Sequence, residues 1–327
     1  MGILSENIGI DPGTASVRIF MKGKGIVLDE PCLAVVDKSS EEVVAAGLDA
    51  EKLIGKIPDS FNTIYPIKRG VIHDYNAAEG MFRALFDKCL GRRVIKPRVL
   101  VAVSSDCTDV HKRAMEEALL SAGAKSVSFK NKSLAAAVGA GLDIKDISGN
   151  LIIDIGCGTA NIAVISIGTV VACRTVNVAG NDFVEAIIHH IKNKYGVTVG
   201  YRAAGEIKSM LAGNDVSHAD GYIVVGRDVL TGLPRSVKVL IREVKDAVGE
   251  SIMALVSQIR SVIEVTPDEL VADIMSKGAV LTGRGALLPE LLEIVSKQLN
   301  MPVVLADNPA DSVIFGLGKA ISKEYDF

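Results

Sequence analysis

The chain has 327 residues, of which 49% are hydrophobic, and its formal net charge is −3. This length and apolar content predict one large or two medium domains, and the near-neutral charge gives no electrostatic basis for binding nucleic acid. Five cysteines without a Cys-x-x-Cys pair favour a reduced cytosolic protein over a disulfide framework. We expect neither a secretory signal nor a membrane span, since no apolar run approaches the roughly 18 residues that a span needs.

The first half of the chain opens with three predicted strands in residues 7–37, followed by a polar segment, 38–69, that glycine and proline interrupt. A helix is predicted at 74–90, capped by Asp74, because apolar residues recur there at every fourth position. Further predicted elements are a buried strand at 97–105, a helix at 108–122, a short strand at 126–130 and a small-residue helix at 133–142.

The second half repeats this order, with three predicted strands in residues 150–180 and a helix at 182–195 that Gly196 ends. Strands that alternate with helices indicate an α/β fold. The terminal helix is expected to pack back on the first half. Later predicted elements are a helix at 203–211, strands near 222–225 and 236–240, helices at 242–262 and 267–277, a strand and glycine turn at 278–288, a helix at 289–299, a strand at 302–307 and the terminal helix at 309–323.

Two glycine turns carry most of the functional information. The segment IDPGTAS places Asp11 and a Gly-Thr turn at a strand end, and IIDIGCGTAN does the same with Asp154. Backbone N–H groups at such turns can cradle phosphate, and the aspartate can hold a phosphate-bound Mg²⁺. One such turn is a weak signal, but two in the same context predict a duplicated fold that closes on one nucleotide.

Segments along the whole chain resemble the actin-like ATPases and, among them, the MreB family of bacterial actins. The matching segments are IDPGTAS, KGKGIVLDEP, YPIKRGVIHDY, SLAAAVGAGL, IIDIGCGTANIAVIS, GRDVLTGLPRSV, TPDELVADI, VLTGRGALL and ADNPADSVIFGLGKAI. The resemblance implies an actin-like, ribonuclease H-like duplicated α/β fold with two domains and four subdomains around a central nucleotide cleft. The implied boundaries are 1–30, 70–143 and 309–327 for subdomain IA, 31–69 for IB, 144–182 and 242–308 for IIA, and 183–241 for IIB.

The same resemblance implies ATP and Mg²⁺ in the cleft and polymerisation into paired protofilaments. It also implies a cytoplasmic protein peripheral to the inner face of the cell membrane, which works with the cell-wall elongation machinery to determine cell shape. Its expected partner is itself or a paralogous MreB in a co-polymer, and no nucleic acid is expected.

The resemblance assigns phosphate and metal contacts to both glycine turns. Asp11 and Asp154 would hold Mg²⁺ through water, and Thr159 would lie near the γ-phosphate. Proline at position 12 removes one possible N–H donor, and a cysteine at 157 fits such a turn only with a negative φ. The family's Thr-Glu after the second turn is Ala-Asn at 160–161. The nucleotide-binding residues expected here are Asp11, Gly13, Thr14, Ala15, Asp154, Gly156, Cys157, Gly158 and Thr159.

Lys132 is the largest departure from the family, which has a catalytic glutamate at the matching position. That glutamate is understood to position or polarise the attacking water, whereas lysine has donors and no acceptor. General base catalysis is typically worth about 10²–10⁴-fold, so we predict slow or absent hydrolysis. A rerouted active site or a one-residue slip of the match are the alternatives, and the unbroken AAAVGAGL run argues against a slip.

The predicted adenosine side is also altered. The family pattern Ala-Glu-x-x-Lys becomes Ala204-Gly205-Glu206-Ile207-Lys208, so Lys208 is retained and Glu206 is displaced by about 100° around a helix. The third turn has Gly283, Arg284, Gly285 and Ala286, where the family has three glycines. Arg284 could block adenine, or could swing out to stack on the base or pair with phosphate.

A membrane loop is predicted at residues 91–98, which match the position of the family's hydrophobic insertion loop. Val94 and Ile95 would enter the interface while cations that include Arg93 and Lys96 meet anionic headgroups, at about 1 kcal/mol each. The alternative is a solvated connection with two half-buried residues. A filament would multiply such weak contacts by avidity.

Several functions remain open at this point. The leading hypothesis is an MreB-like filament protein that binds ATP and hydrolyses it poorly, and a nucleotide-independent structural pseudo-ATPase that co-polymerises with another MreB is the alternative. A sugar kinase needs a substrate-side catalytic aspartate, and nothing in 38–69 suggests a sugar site. An Hsp70-like chaperone would need a peptide-binding domain. Fold alone cannot choose among them.

Overall fold

The computed structural model describes residues 7–91, 96–212, 221–325 and 327. The strands are β1 (Asn7–Pro12), β2 (Ser16–Met21), β3 (Gly25–Pro31), β4 (Ala34–Asp37), β5 (Val43–Ala46), β6 (Phe61–Ile64), β7 (Ile67–Lys68), β8 (Val71–Ile72), β9 (Arg98–Val103), β10 (Ser126–Asn131), β11 (Asn150–Ile155), β12 (Ala160–Ser166), β13 (Thr169–Val176), β14 (Val197–Thr198), β15 (Tyr222–Asp228), β16 (Pro234–Val239), β17 (Ala279–Thr282) and β18 (Val303–Leu305). The helices are α1 (Leu48–Glu51), α2 (Tyr75–Leu90), α3 (Asp109–Ser121), α4 (Lys132–Gly139), α5 (Gly180–Tyr195), α6 (Tyr201–Ala212), α7 (Ile241–Glu264), α8 (Asp268–Lys277), α9 (Pro289–Leu299) and α10 (Ser312–Ser322).

Two five-stranded sheets share one topology, with the orders β10-β9-β1-β2-β3 and β13-β12-β11-β17-β18. In each sheet an antiparallel meander of three strands is extended by two parallel strands beside its first member. Asp11 pairs in register with Arg18, and Asp154 pairs with Asn161 at the equivalent position of the second sheet. The duplication predicted from the two glycine turns is therefore present in the backbone.

Local capping chemistry explains where the helices of the first half begin. The Asp74 side chain accepts from the N–H of Ala77 at 2.9 Å and starts α2, as predicted. Thr108 accepts from the N–H of His111 and starts α3 in the same way. Such N-caps satisfy donors that have no partner inside the helix.

Helices α4 and α10 pack between the two sheets and join the halves. Their shared apolar cluster includes residues of β9, β11 and β12. A Cβ on Gly139 would lie 1.7 Å from the carbonyl oxygen of Ser312, and one on Gly316 would lie 1.9 Å from that of Ala135. Only glycine allows backbones this close. The predicted packing of the terminal helix on the first half is confirmed, since α10 also contacts β1 and β2.

Two stretches differ from the sequence-based expectation. The polar segment 38–69, together with β4, forms a three-stranded sheet in the order β5-β4-β6, and its short helix α1 lies N-terminal to its expected position. The terminal helix is preceded by a separate 3-10 turn, Pro309–Asp311. No helix among the described residues is long and apolar enough to cross a membrane. The proposed subdomain boundaries remain a prediction.

Candidate functional site

The two glycine turns face each other across a cleft between the sheets. The first turn leads from β1 into β2, and the second leads from β11 into β12. The cleft contains about 420 Å³ of space, part of it open to solvent, and a second space of about 400 Å³ adjoins it. Predicted site residues that line these two spaces are Asp11, Gly13, Thr14, Ala15, Lys132, Asp154, Gly156, Cys157, Gly158, Thr159, Gly283 and Arg284.

Hydrogen bonds fix the second turn to the start of α5. The N–H of Gly156 donates to the carbonyl of Thr159 at 2.9 Å, which closes the turn. Its own carbonyl accepts from Gly180 at 3.0 Å, and the carbonyl of Cys157 accepts from Asn181 at 2.7 Å. Among the described residues, Cys157 is not one of the non-glycine residues with a positive φ, so its side chain fits the turn without backbone strain.

Both turns contain backbone N–H groups without a hydrogen-bond partner among the residues that the structure describes. Within the described part of the chain, the N–H groups of Thr14, Ala15, Cys157 and Gly158 donate no hydrogen bond. A Cβ on Gly158 would lie 2.5 Å from Oγ1 of Thr14, so glycine is needed for the turns to approach this closely. Unpaired N–H groups grouped in this way form a concave site for an anion, and they fit a phosphate chain.

The N-cap of α4 positions Lys132 beside these N–H groups. The Asn131 side chain accepts from the N–H groups of Ser133 and Leu134 at 2.9 and 3.1 Å, which makes Lys132 the first residue of the helix. Its Nζ lies 3.0 Å from Oδ1 of Asp11, and the two side chains are only 16% and 11% exposed. Lys132 therefore makes a largely buried ion pair with the first-turn aspartate.

Asp154 contributes a second buried carboxylate to the same cluster. Asn161 donates to it at 3.4 Å and in turn accepts from the Thr175 hydroxyl at 3.1 Å. Burial raises the pKa of Asp154, the charge of Lys132 opposes this, and the charge of Asp11 adds to it. For Lys132, burial by itself lowers the pKa, but the charges of Asp11 and Asp154 outweigh it and raise the pKa above its ordinary value.

The donor set does not fit a Mg²⁺ ion in contact with these carboxylates. Asp11 and Asp154 carry the oxygen ligands that Mg²⁺ prefers. The ammonium of Lys132, however, already pairs with Asp11 and attracts Asp154, so a metal ion would add positive charge beside a buried cation. Among the residues that the structure describes, no group of three or more His, Cys, Asp and Glu is placed to hold a metal.

Arg284 extends from the third glycine turn across the cleft. Its guanidinium donates to the carboxylate of Asp29 on β3 and lies 3.4 Å from the Ser16 hydroxyl. Arg18 reaches the same Asp29 carboxylate at 3.4 Å and a carboxylate oxygen of Asp311 at 3.6 Å. The arginine is therefore directed to the first half of the chain.

The remaining residues predicted to contact adenosine fall into two groups, one beside the second turn and one bordering open space on α6. Lys208 is near the second turn, since its Nζ donates to the carbonyl of Gly180 at 3.2 Å, and burial lowers the pKa of its ammonium. Gly285 and Ala286 are buried against the base of the same turn. Glu206 is exposed and pairs with Arg202 on its own helix, and Gly205 borders open space.

Sequence reasoning missed Arg18, Asp29 and Ser16, which complete the wall opposite Arg284. The sequence does contain a signal for Arg18, which is a charged residue between the apolar residues Val17 and Ile19 of β2. For the predicted membrane loop, Arg93, Val94 and Ile95 lie outside the described residues, and Lys96 is exposed.

Comparison with solved structures defines the class of fold. MreB5 of Spiroplasma citri bound to AMPPNP superposes with a TM-score of 0.90 at 30% sequence identity, covering 98% of both chains, and the same holds for the ADP-bound form. The chain of a MamK double helical filament matches with a TM-score of 0.79 at 16% identity, covering 99% of this chain and 100% of that one. The fold is actin-like, as predicted.

Sequence comparison gives the family. The family model described as MreB/Mbl protein matches residues 5–327. The cell shape-determining protein Mbl of Bacillus subtilis is 40% identical over 97% of this chain and 96% of its own length. The cell shape-determining protein MreB of Escherichia coli is 36% identical over 98% and 94%. This chain belongs to the MreB/Mbl family.

Proposed function

We propose that this protein binds ATP in the cleft, polymerises into membrane-associated filaments and helps determine cell shape by organising cell-wall elongation. The observation that carries the proposal is the pair of glycine turns whose unpaired N–H groups face one cleft. Family membership supports it, as do the nucleotides named in the two Spiroplasma citri structures. Four subdomains, a cytoplasmic location at the inner membrane face and self-association belong to the same proposal.

Different groups around the cleft would contact different parts of the nucleotide. The amides of Thr14, Ala15, Cys157 and Gly158 would receive the phosphate chain, since they are unpaired and grouped. Lys208 and the third turn, 283–286, flank the second turn on the side where the sugar and base would lie. Bound nucleotide would add contacts to both halves and so favour the closed cleft that a filament subunit needs.

Hydrolysis is proposed to be weak or lost. In its ion pair with Asp11, Lys132 presents only donors and cannot accept a proton from an attacking water. Asn161, where the family has glutamate, is bonded to Asp154 and Thr175 and supplies no carboxylate. The cleft therefore keeps the means of binding phosphate without a general base at either altered position.

A second candidate function is a nucleotide-independent structural subunit that co-polymerises with another family member. It is favoured by the ion pair of Arg284 with Asp29, which connects the two halves without a ligand. Lys132, which attracts both Asp11 and Asp154, adds a second such connection. A cleft closed in this way would not need nucleotide to present its assembly surfaces.

Sedimentation of the purified protein with and without MgATP, followed by electron microscopy of the pellets, tests both candidates. Filaments that form only with MgATP would support the first function, and release of inorganic phosphate in the same samples would measure hydrolysis. Filaments that form equally without nucleotide would support the second. The absence of filaments in both conditions, also on anionic vesicles, would contradict autonomous assembly and leave only the co-polymer.

A further inference from the structure

We propose that the ammonium of Lys132 takes the place of phosphate-bound Mg²⁺ in this cleft, so that the protein binds nucleoside polyphosphates without a divalent metal. The inference rests on the proposed nucleotide site and specifies the form of its ligand, which is the metal-free polyphosphate anion.

Lys132 faces the same space as the two glycine turns. Lys132 lines both of the adjoining spaces in the cleft, as do Gly13, Thr14, Gly156 and Cys157 of the two turns. Its charge therefore faces the same volume as the unpaired amides. A phosphate chain lying in the cradle would meet this ammonium and the backbone donors together, which is the arrangement that charge-assisted hydrogen bonds favour.

The charge of Lys132 offsets that of the carboxylates in the cleft. Asp11 and Asp154 bring two carboxylates to the floor of the cleft, where they would repel a polyphosphate. Lys132 pairs with Asp11 and attracts Asp154, and Arg18, whose own ion pairs are with Asp29 and Asp311, adds positive charge near Asp154. A glutamate at position 132 would remove this ammonium and place a third carboxylate beside Asp11 and Asp154, and that site would need a divalent cation before it could accept phosphate.

The Lys132 ammonium is a permanent part of the site. Lys132 is fixed at the first position of α4 by the Asn131 cap, and α4 is packed against α10 through glycine contacts. The ammonium has three donors, and its pair with Asp11 leaves others for a phosphate oxygen. The positive charge is thus supplied by the chain itself and does not depend on metal concentration.

Calorimetric titration of the full chain with ADP and with AMPPNP, once in MgCl₂ and once in EDTA, tests the proposal. The dissociation constants are expected to agree within about threefold in the two conditions. Lys132→Gln is expected to weaken binding in EDTA by about tenfold to a hundredfold, the range for a lost charge-assisted hydrogen bond, and MgCl₂ should restore much of the loss. Lys132→Arg, which keeps the charge, and Lys112→Gln, a surface lysine on α3, should behave like the unaltered protein.

The outcomes separate the two proposals. Nucleotide binding by the unaltered protein that disappears in EDTA would overturn the role of Lys132 and leave the proposed nucleotide site intact. A failure to bind in either condition would overturn the nucleotide site itself. If Lys132→Gln does not fold, the comparison of MgCl₂ with EDTA in the unaltered protein and in Lys132→Arg still decides the question.

Discussion

The guanidinium of Arg284 is bonded to the carboxylate of Asp29, which ties the third glycine turn of the second half to strand β3 of the first. Arg18 holds the same carboxylate from the other side. Because the side chains of Arg284 and Asp29 are 40% and 38% exposed, the pair is worth at most about 1 kcal/mol. Its location matters more than its strength, since it must break whenever the two halves separate.

Arg284→Ala is expected to accelerate nucleotide release. The ion pair with Asp29 opposes opening of the cleft, and its loss should raise the dissociation rate of a fluorescent adenine nucleotide up to about fivefold. Stopped-flow displacement by unlabelled nucleotide measures this rate. Arg83→Ala removes a comparable exposed pair on α2, far from the cleft, and should leave the rate unchanged. Slower release from Arg284→Ala would indicate that the arginine obstructs the nucleotide.

Lys132→Glu is expected to create Mg²⁺-dependent ATP hydrolysis. The substitution introduces a proton acceptor at the start of α4 and removes the cation that competes with a metal. A gain of about 10²-fold in phosphate release is expected, the lower end of general base catalysis. Lys132→Gln removes the same charge without adding a carboxylate, so equal rates for the two variants would show that position 132 supplies no base.

Gly205→Glu is expected to tighten adenine nucleotide binding by about threefold to tenfold, the worth of one hydrogen bond. Position 205 borders open space, so the longer side chain has no clash. Gly205→Ala is the matched control, because it raises the free energy of unfolding by about 0.5–1 kcal/mol through helix propensity without adding a polar group. Calorimetric titration of both variants separates the new contact from the stiffer helix. Equal affinities would place the sugar elsewhere.

Glu243 gives the protein an acid-sensitive contact between α5 and α7. Hydrogen bonds from Lys194 and Tyr195, both 2.6 Å long, hold the pKa of Glu243 at about 2, below its ordinary 4.5. Because the folded state lowers this pKa, the stabilisation is complete above pH 4.5 and is lost as the pH falls toward 2. Urea unfolding midpoints of Glu243→Gln should therefore depend less on pH in this window than those of the unaltered protein.

Glu264→Gln provides the control for this measurement, because Glu264 is an exposed carboxylate near the end of the same helix. Its unfolding midpoints should follow those of the unaltered protein at every pH. A Glu243→Gln curve that also follows them would show that the contact with Lys194 and Tyr195 does not stabilise the fold.

Elements with a local signal were predictable from the sequence. The cap at Asp74, the stop at Gly196 and the repeated strand-turn-strand units are short-range features, and the structure contains each of them. The sheet formed by β4, β5 and β6 was missed because each of its strands has only four residues, too few for an alternating pattern to be recognised. Pairing between such strands depends on neighbours distant in sequence, which periodicity does not reveal.

The candidate site shows the same division. The presence of the two glycine turns and Lys132 in one cleft was predictable because each lies in a contiguous segment that resembles one family. The ion pair of Arg284 with Asp29 was not predictable, because the two residues are 255 positions apart in the sequence. Whether the arginine stacks on adenine, blocks it or pairs with a carboxylate depends on the folded geometry. The free amides of Thr14 and Cys157 could likewise be identified only from a complete account of hydrogen bonds.

The glycine contacts between α4 and α10 can form only late in the synthesis of the chain, because the two helices are far apart in the sequence. Lys132 is positioned by a helix that packs against residues 312–322, and a Cβ on Gly9 beside Asp11 would touch Ile321. The first-turn strand and the lysine helix thus emerge from the ribosome long before the segment that brings them together. Nascent chains that end before α10 therefore lack this support, so the cleft is expected to mature only after residues 312–322 have been translated.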